Sequence, residues 1–227
     1  MKNKKKAIVL ISGGMDSAVC SAYAKKDGYQ LAALHLNYGQ KTESKELKCF
    51  ENLCDFYSIK DRLVVDVDFL SQIGGSSLTD KKIDISDADL ESNEIPSSYV
   101  PFRNANILTI AVSWAEVLGA EAIYIGAMEE DSSGYPDTRK IFFKAFQKAV
   151  NTGTKPETNI EIKTPIIDLS KKEIIKVGKN MGVPFQHTWS CYKSSGKACG
   201  KCDSCALRLR GFQQLGIKDL IDYEDGF

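Results

Sequence analysis

Residues 7–17 read AIVLISGGMDS, and this stretch decides the fold. The run at 7–11 is short, apolar and β-branched, the pattern of a strand buried on both faces. After Ser17 the pattern turns to AVCSAYAKK, small and helix-tolerant, and it ends near Gly28. SGGMDS therefore predicts a strand–loop–helix turn. Gly13 and Gly14 allow positive φ and let a ligand approach the backbone closely. The helix that follows aims its free N–H groups into the loop, where they favour an anion. Asp16 stands beside that anion site, which needs an explanation.

Working outward, strands are predicted at 30–36, 62–67, 122–126 and 160–163. Helices are predicted at 17–26, 42–57, 104–118, 137–150 and 170–181. Ser170, with Glu173 three residues on, gives the last of these a capping-box start. Strands alternating with helices imply an α/β, doubly wound parallel sheet whose ligands bind beyond the carboxyl ends of the strands. Residues 74–98 break the rhythm. They are polar, acidic and serine-rich, and a loop of that length reads as a mobile insertion or lid. The last segment, 187–227, is cysteine-rich and carries a helix.

Composition narrows the function. The chain has 227 residues, enough for a real core. Lys plus Arg equals Asp plus Glu at 30 each, so no basic footprint favours nucleic acid as a partner. The basic run KNKKK at 2–6 reads as a solvated tail. The apolar run behind it is too short for a secretory h-region of roughly 7–15 residues. No stretch approaches the roughly 20 apolar residues of a membrane span, so no membrane partner is expected. Seven cysteines in such a chain argue for thiols or a metal, not a disulfide frame, and the expected compartment is the cytoplasm.

The loop is neither GxGxxG nor GxxxxGK[ST], so the dinucleotide and Walker readings fail on spacing. It resembles the pyrophosphatase-type phosphate loop, SGGxDS, of ATP-dependent AMP-forming enzymes. That resemblance implies ATP held by Ile11, Ser12, Gly13, Gly14, Met15, Asp16, Ser17 and Ala18 and cleaved between its α- and β-phosphates. Ser12 and Ser17 hydroxyls would then stabilise charge on the departing oxygens. An acid beside phosphates repels them unless a cation intervenes, so Asp16 reads as a Mg²⁺ ligand.

Three more stretches extend the likeness: VPFRNANILTIA at 100–111, SGYPDTR at 133–139, and TWSCY at 188–192 followed by CGKCDSCALRLRGF at 199–212. With SGGMDS they run in one order over nearly the whole chain, and together they resemble the 7-cyano-7-deazaguanine synthase family. The resemblance implies an adenine nucleotide α-hydrolase-like fold at 1–186 and a small C-terminal zinc-binding tail at 187–227. It also implies a carbon–nitrogen ligase of queuosine biosynthesis. Such an enzyme joins ammonia to 7-carboxy-7-deazaguanine, first as an amide and then, with a second ATP, as a nitrile. A homodimer is expected.

Residue chemistry offers roles for the other blocks. Arg103 and Asn104 stand where the acidic loop passes into a helix, and a guanidinium fork there binds a carboxylate or phosphate bidentately. A surface ion pair is the plainer account of Arg103. Tyr135, Asp137 and Arg139 follow the fourth strand: Tyr135 would stack on a guanine-like ring and Asp137 would accept from its N–H groups. Gly-Tyr-Pro-Asp is also turn-rich, so a simple turn is the rival reading. His35 reads equally well as packed or functional. Two departures from the family's pattern stand out: Phe102 where relatives often carry Gly, and Thr138 where they often carry Cys. Thr138 removes a candidate nucleophile, which fits direct attack by ammonia.

Cys199, Cys202 and Cys205 form C-x₂-C-x₂-C, with Cys191 eight residues upstream. Four soft ligands can close a tetrahedron around Zn²⁺, and close triple-cysteine runs also hold iron–sulfur clusters. The family resemblance implies zinc. Four thiolates leave no open position, so the metal would be structural. Cys20, Cys49 and Cys54 read as small buried apolar residues. Two other functions compete: a tRNA-thiolating enzyme sharing the loop, which needs a basic face, and a non-enzymatic zinc-ribbon binder, which has no use for SGGMDS.

Overall fold

Residues Lys6–Leu10 (β1) bury four successive apolar side chains, as a strand covered on both faces must. The computed structural model describes residues 5–92, 94–129 and 134–225. Within it, β1 is the central strand. Gln30–Asn37 (β2) pairs with it on one side and Ala120–Tyr124 (β4) on the other. Asp61–Asp66 (β3) and Glu161–Lys163 (β5) take the edges, giving a parallel sheet ordered β3-β2-β1-β4-β5.

Alternation along β1 feeds two cores. Ala7, Val9 and Ile11 face Met15–Lys26 (α1), Glu43–Phe56 (α2), Lys171–Asn180 (α6) and Asp203–Gln214 (α7), through Val19, Phe50, Ile175 and Phe212. Ile8 and Leu10 face Arg103–Leu118 (α4) and Lys140–Gly153 (α5), through Leu108, Ala111 and Phe143. A short helix, Phe69–Ile73 (α3), follows β3. The sheet is therefore doubly wound, as expected. The chain leaves β1 for β2 and β3, then crosses back to β4. That switch opens a crevice at the carboxyl end of β1.

Boundaries moved for local reasons. Pro136–Thr138 forms a 3₁₀ turn, so α5 starts at Lys140 instead of 137. β4 begins two residues before the expected 122. α6 carries the full capping box: Glu173 N–H donates to Ser170 Oγ, and Ser170 N–H donates to Glu173 Oε2. Neither α3 nor the 3₁₀ turn Phe185–His187 was foreseen; both are single turns too short for a periodic pattern.

The insertion is tied down along its length. Ser77 N–H donates to Ser97 O at 2.8 Å, Lys41 Nζ to Ile83 O at 2.9 Å, and Ala88 N–H to Lys201 O at 2.8 Å. Lys193 pairs with Asp87 at 2.6 Å. Asn93, Ser133 and residues 2–4 of the basic run lie outside the described residues. No helix among the described residues is long and apolar enough to cross a membrane.

Candidate active site

The loop Ser12–Ser17 closes the end of β1 and opens α1. Gly13 has φ +84°, and a Cβ there would stand 2.5 Å from Glu46 O, so only glycine fits. Gly14 sits in extended conformation as the N-cap of α1, so the left-handed freedom expected of both glycines is used at one. Gly126, after β4, lets that strand's exit meet the loop: a Cβ would lie 2.9 Å from Asp16 C. Ser17 Oγ donates to Gly14 O at 2.8 Å, and Ser12 Oγ accepts from Gly14 N–H at 3.3 Å. No side chain caps α1, which leaves its first N–H groups to a ligand.

A cleft of ≈ 250 Å³ opens above this loop. Ser12, Gly14, Met15, Asp16 and Ser17 line it, whereas Ile11, Gly13 and Ala18 are buried behind them. Across the cleft stands Lys171, at the start of α6, which the sequence reading missed. Its Nζ donates to both Asp16 oxygens at 2.9 Å and approaches Met128 Sδ at 3.1 Å. The cation demanded beside Asp16 is thus supplied in part by the chain itself. Only the capping signal at Ser170 marked this place, and it announced a helix, not a site.

Arg103, Asn104 and Tyr135 line the same cleft. Arg103 Nη1 donates to Tyr38 OH at 3.0 Å, with the guanidinium 5.3 Å from that ring's centroid. Burial pushes the Tyr38 phenol up to about 12. Tyr135 OH bonds Ser98 Oγ at 2.8 Å. Glu46, Tyr192 and Asp203 also line the cleft, and none was singled out in the sequence. Burial raises the carboxyl pKa of both Glu46 and Asp203.

Asp137 and Arg139 do not join them. Asp137 is 3 % exposed, and its Oδ2 accepts the Asn104 N–H at 2.9 Å while its carbonyl accepts from Asn104 Nδ2 at 3.0 Å. It fastens the start of α4 and offers no edge to a ligand. Arg139 is exposed and folds back, its Nε donating to Pro136 O. Thr138 does line the cleft. Phe102 has φ +56°, a left-handed conformation that suits glycine better than a bulky residue; its ring is exposed. His35 is packed: Nδ1–H donates to Ile11 O at 2.8 Å, and burial lowers its pKa, keeping the ring neutral.

The cysteine tail forms the cleft's remaining wall. The sulfurs of Cys191, Cys199, Cys202 and Cys205 lie within 4.8 Å of one another, all buried, a metal-binding arrangement. Ser194 and Cys199 N–H groups donate to Cys191 Sγ at 3.3 Å, and Lys201 and Cys202 N–H groups to Cys199 Sγ. Such donors relieve thiolate charge, so the cluster fits a cation bound by sulfur. Trp189 N–H then reaches Gly13 O at 2.9 Å, joining the tail to the phosphate loop. Behind it, Arg208 is fully buried and grips Asp219 through Nε at 2.6 Å and Nη2 at 2.9 Å. Its Nη1 donates to Thr188 Oγ1 at 2.8 Å. Cys20, Cys49 and Cys54 are buried, as expected of small apolar residues.

Sheet order and loop together define an α/β protein of the adenine nucleotide α-hydrolase-like class, with a pyrophosphatase-type phosphate loop. A 4-thiouridine synthetase solved with RNA and bound ATP shares the fold: TM-score 0.53, 19 % identity, covering 93 % of this chain and 50 % of that one. Closer relatives are curated as 7-cyano-7-deazaguanine synthases. That of Chlorobium phaeobacteroides (strain BS1) is 63 % identical over 219 residues, 96 % of this chain and 97 % of its own length. That of Chlorobaculum parvum is 60 % identical over 219 residues, 96 % of each chain. The family described as "Queuosine biosynthesis protein QueC" matches residues 6–216, and the chain belongs to it.

Proposed function

We propose that this chain is an ATP-dependent carbon–nitrogen ligase that converts 7-carboxy-7-deazaguanine and ammonia to 7-cyano-7-deazaguanine, releasing AMP and diphosphate. One observation carries the reading: an uncapped phosphate loop and a tyrosine-lined recess holding Arg103 open into a single cleft. ATP lies with its β- and γ-phosphates on the loop amides of α1. The substrate carboxylate, oriented by the Arg103 fork, attacks the α-phosphorus. Lys171 and the loop N–H groups stabilise the charge growing on the leaving diphosphate. Asp16 is half-exposed toward the phosphates, and its oxygens keep free lone pairs, so it fits a Mg²⁺ ligand beside Lys171. Magnesium bound there supplies neutralising charge to the phosphate oxygens.

Ammonia then displaces AMP to give the amide. A second ATP activates the amide oxygen, and loss of AMP with the nitrogen's remaining protons leaves the nitrile. Tyr135 and Tyr192 present ring faces to the flat heterocycle. Zinc suits the four cysteines, and with all positions filled it holds structure and takes no part in the chemistry. The test is direct: protein, ATP, ammonium and the carboxylated deazaguanine are incubated and the products weighed by mass spectrometry. AMP, diphosphate and nitrile are expected; ADP with orthophosphate would overturn the reading.

A further inference from the structure

Of the carboxylates lining the cleft, Asp16 is paired with Lys171, and Asp203 lies beside a metal ligand in the field of Lys193. Glu46 is different. Among the described residues no lysine or arginine forms an ion pair with it. Its oxygens are fixed by neutral donors alone: Thr42 Oγ1 at 2.6 Å on Oε1 and Gln40 Nε2 at 3.2 Å on Oε2. Thr42 and Gln40 are themselves buried, and Gln40 Oε1 is held by Tyr38 N–H at 2.9 Å. Locked donors of this kind aim a carboxylate; they do not neutralise it. Its backbone carbonyl lies against the phosphate loop at Gly13, and Gln40, which holds its carboxylate, is bound by the main-chain N–H of Tyr38, the residue whose phenol accepts from Arg103. Glu46 therefore stands between the place of adenylation and the residue that orients the carboxylate.

The reaction lacks a base there. Ammonium dominates at neutral pH and has no lone pair. We infer that Glu46 captures ammonium in the cleft and removes a proton from it, delivering ammonia to the adenylated carboxylate. This rests on the ligase reading above. Ammonium gives one proton to the Glu46 carboxylate, and the freed pair attacks the acyl carbon. The bond from that carbon to the AMP oxygen breaks, its electrons leave on AMP, and the new nitrogen passes its surplus proton to the AMP phosphate. Glu46 returns its proton to water before the next ammonium enters. The charged and titratable groups facing Glu46 are Arg103, which favours its ionised form, Glu43, which opposes it, and the neutral Tyr38 and Cys49. Burial outweighs them and raises its proton affinity, as a base for this task requires.

Two measurements test the assignment. With ammonium chloride as probe, the wild-type KM expressed in total ammonium is expected to stay flat across neutral pH. A KM that falls about tenfold per pH unit would mean the enzyme takes free ammonia from solution, and would overturn the role. Glu46→Gln is nearly isosteric and keeps an acceptor for Thr42. It is expected to retain ATP–diphosphate exchange, measured with the carboxylated substrate and no ammonium, within about threefold. Amide formation should fall about 10²-fold and recover as pH rises. Equal loss of exchange and amide formation would make Glu46 part of adenylation or of the fold. Absence of exchange in the wild type would instead remove the ligase reading and this inference with it.

Discussion

Two ion pairs of this chain, Arg208–Asp219 and Lys171–Asp16, are built to opposite specifications. Arg208–Asp219 is sealed, with side chains 0 % and 3 % exposed, and Thr188, Ser190, Phe185 and Tyr223 complete its hydrogen bonds. Lys171–Asp16 is open, at 10 % and 31 %, and it looks into the cleft. A buried pair with every donor and acceptor matched holds structure; a pair left facing a cavity keeps charge ready for a ligand. The same contrast separates the four-cysteine cluster, closed and buried, from the uncapped loop at Ser12–Ser17. One half of the site supplies shape and the other supplies chemistry.

That division can be broken experimentally, most severely at the metal. Cys202→Ser leaves three thiolates and should lose most bound metal, with the tail cut rapidly by protease, because metal affinity in such sites is folding free energy. The purified wild type should be colourless, with about one zinc per chain by elemental analysis. A brown, iron-containing protein would reverse the zinc assignment. Next comes Arg208→Met, which strands Asp219 in the interior. It should lower stability by about 3–5 kcal/mol in denaturant melts, without a selective effect on ATP affinity. A change confined to activity would place the sealed pair on the chemical side.

Asp16→Asn is the mirror test. Turnover should fall roughly 10²-fold, while stability changes by about 1 kcal/mol because the pair is part-exposed and the amide still offers Lys171 an oxygen. Near-normal turnover would remove Asp16 from the mechanism. The smallest effect belongs to Asp137→Asn. Burial raises the Asp137 pKa in the folded state, so folding favours its protonated form. Its contribution to stability is complete below the usual carboxyl value of 3.8 and is lost as pH rises through the raised one. The asparagine variant lacks that loss and still accepts the Asn104 N–H. Melting curves from acid to neutral pH should show the variant gaining on the wild type as pH rises, with deazaguanine affinity unchanged by calorimetry. Weakened deazaguanine binding would return Asp137 to the substrate.

How far the sequence could be read follows from the same distinction. The loop, the alternation of strands and helices, and the cysteine spacing are local patterns, and each stands where periodicity and motif placed it. Lys171 and Glu46 carry no local signature: one is a lysine in a helix's first turn, the other a glutamate on an amphipathic helix, and ordinary solvated faces look alike in sequence. They become site residues only when α6 and α2 fold over the carboxyl end of β1. Asp137 erred in the opposite direction. GYPDT has the chemistry of a ligand edge and the geometry of a turn, and the turn directs its carboxylate at a helix amide. The left-handed φ of Phe102 has no mark in the sequence and is set by the fold.

The bond from Trp189 N–H to Gly13 O also bears on how the molecule is made. A ribosome releases the phosphate loop long before it releases Trp189. Domains fold in that vectorial order as they emerge. The loop is therefore written early and finished late, its floor laid only after Trp189 and the segment around it have emerged. A nascent or truncated chain has the nucleotide motif without the support that shapes it. Competence to activate ATP thus waits on a segment made long after the motif itself.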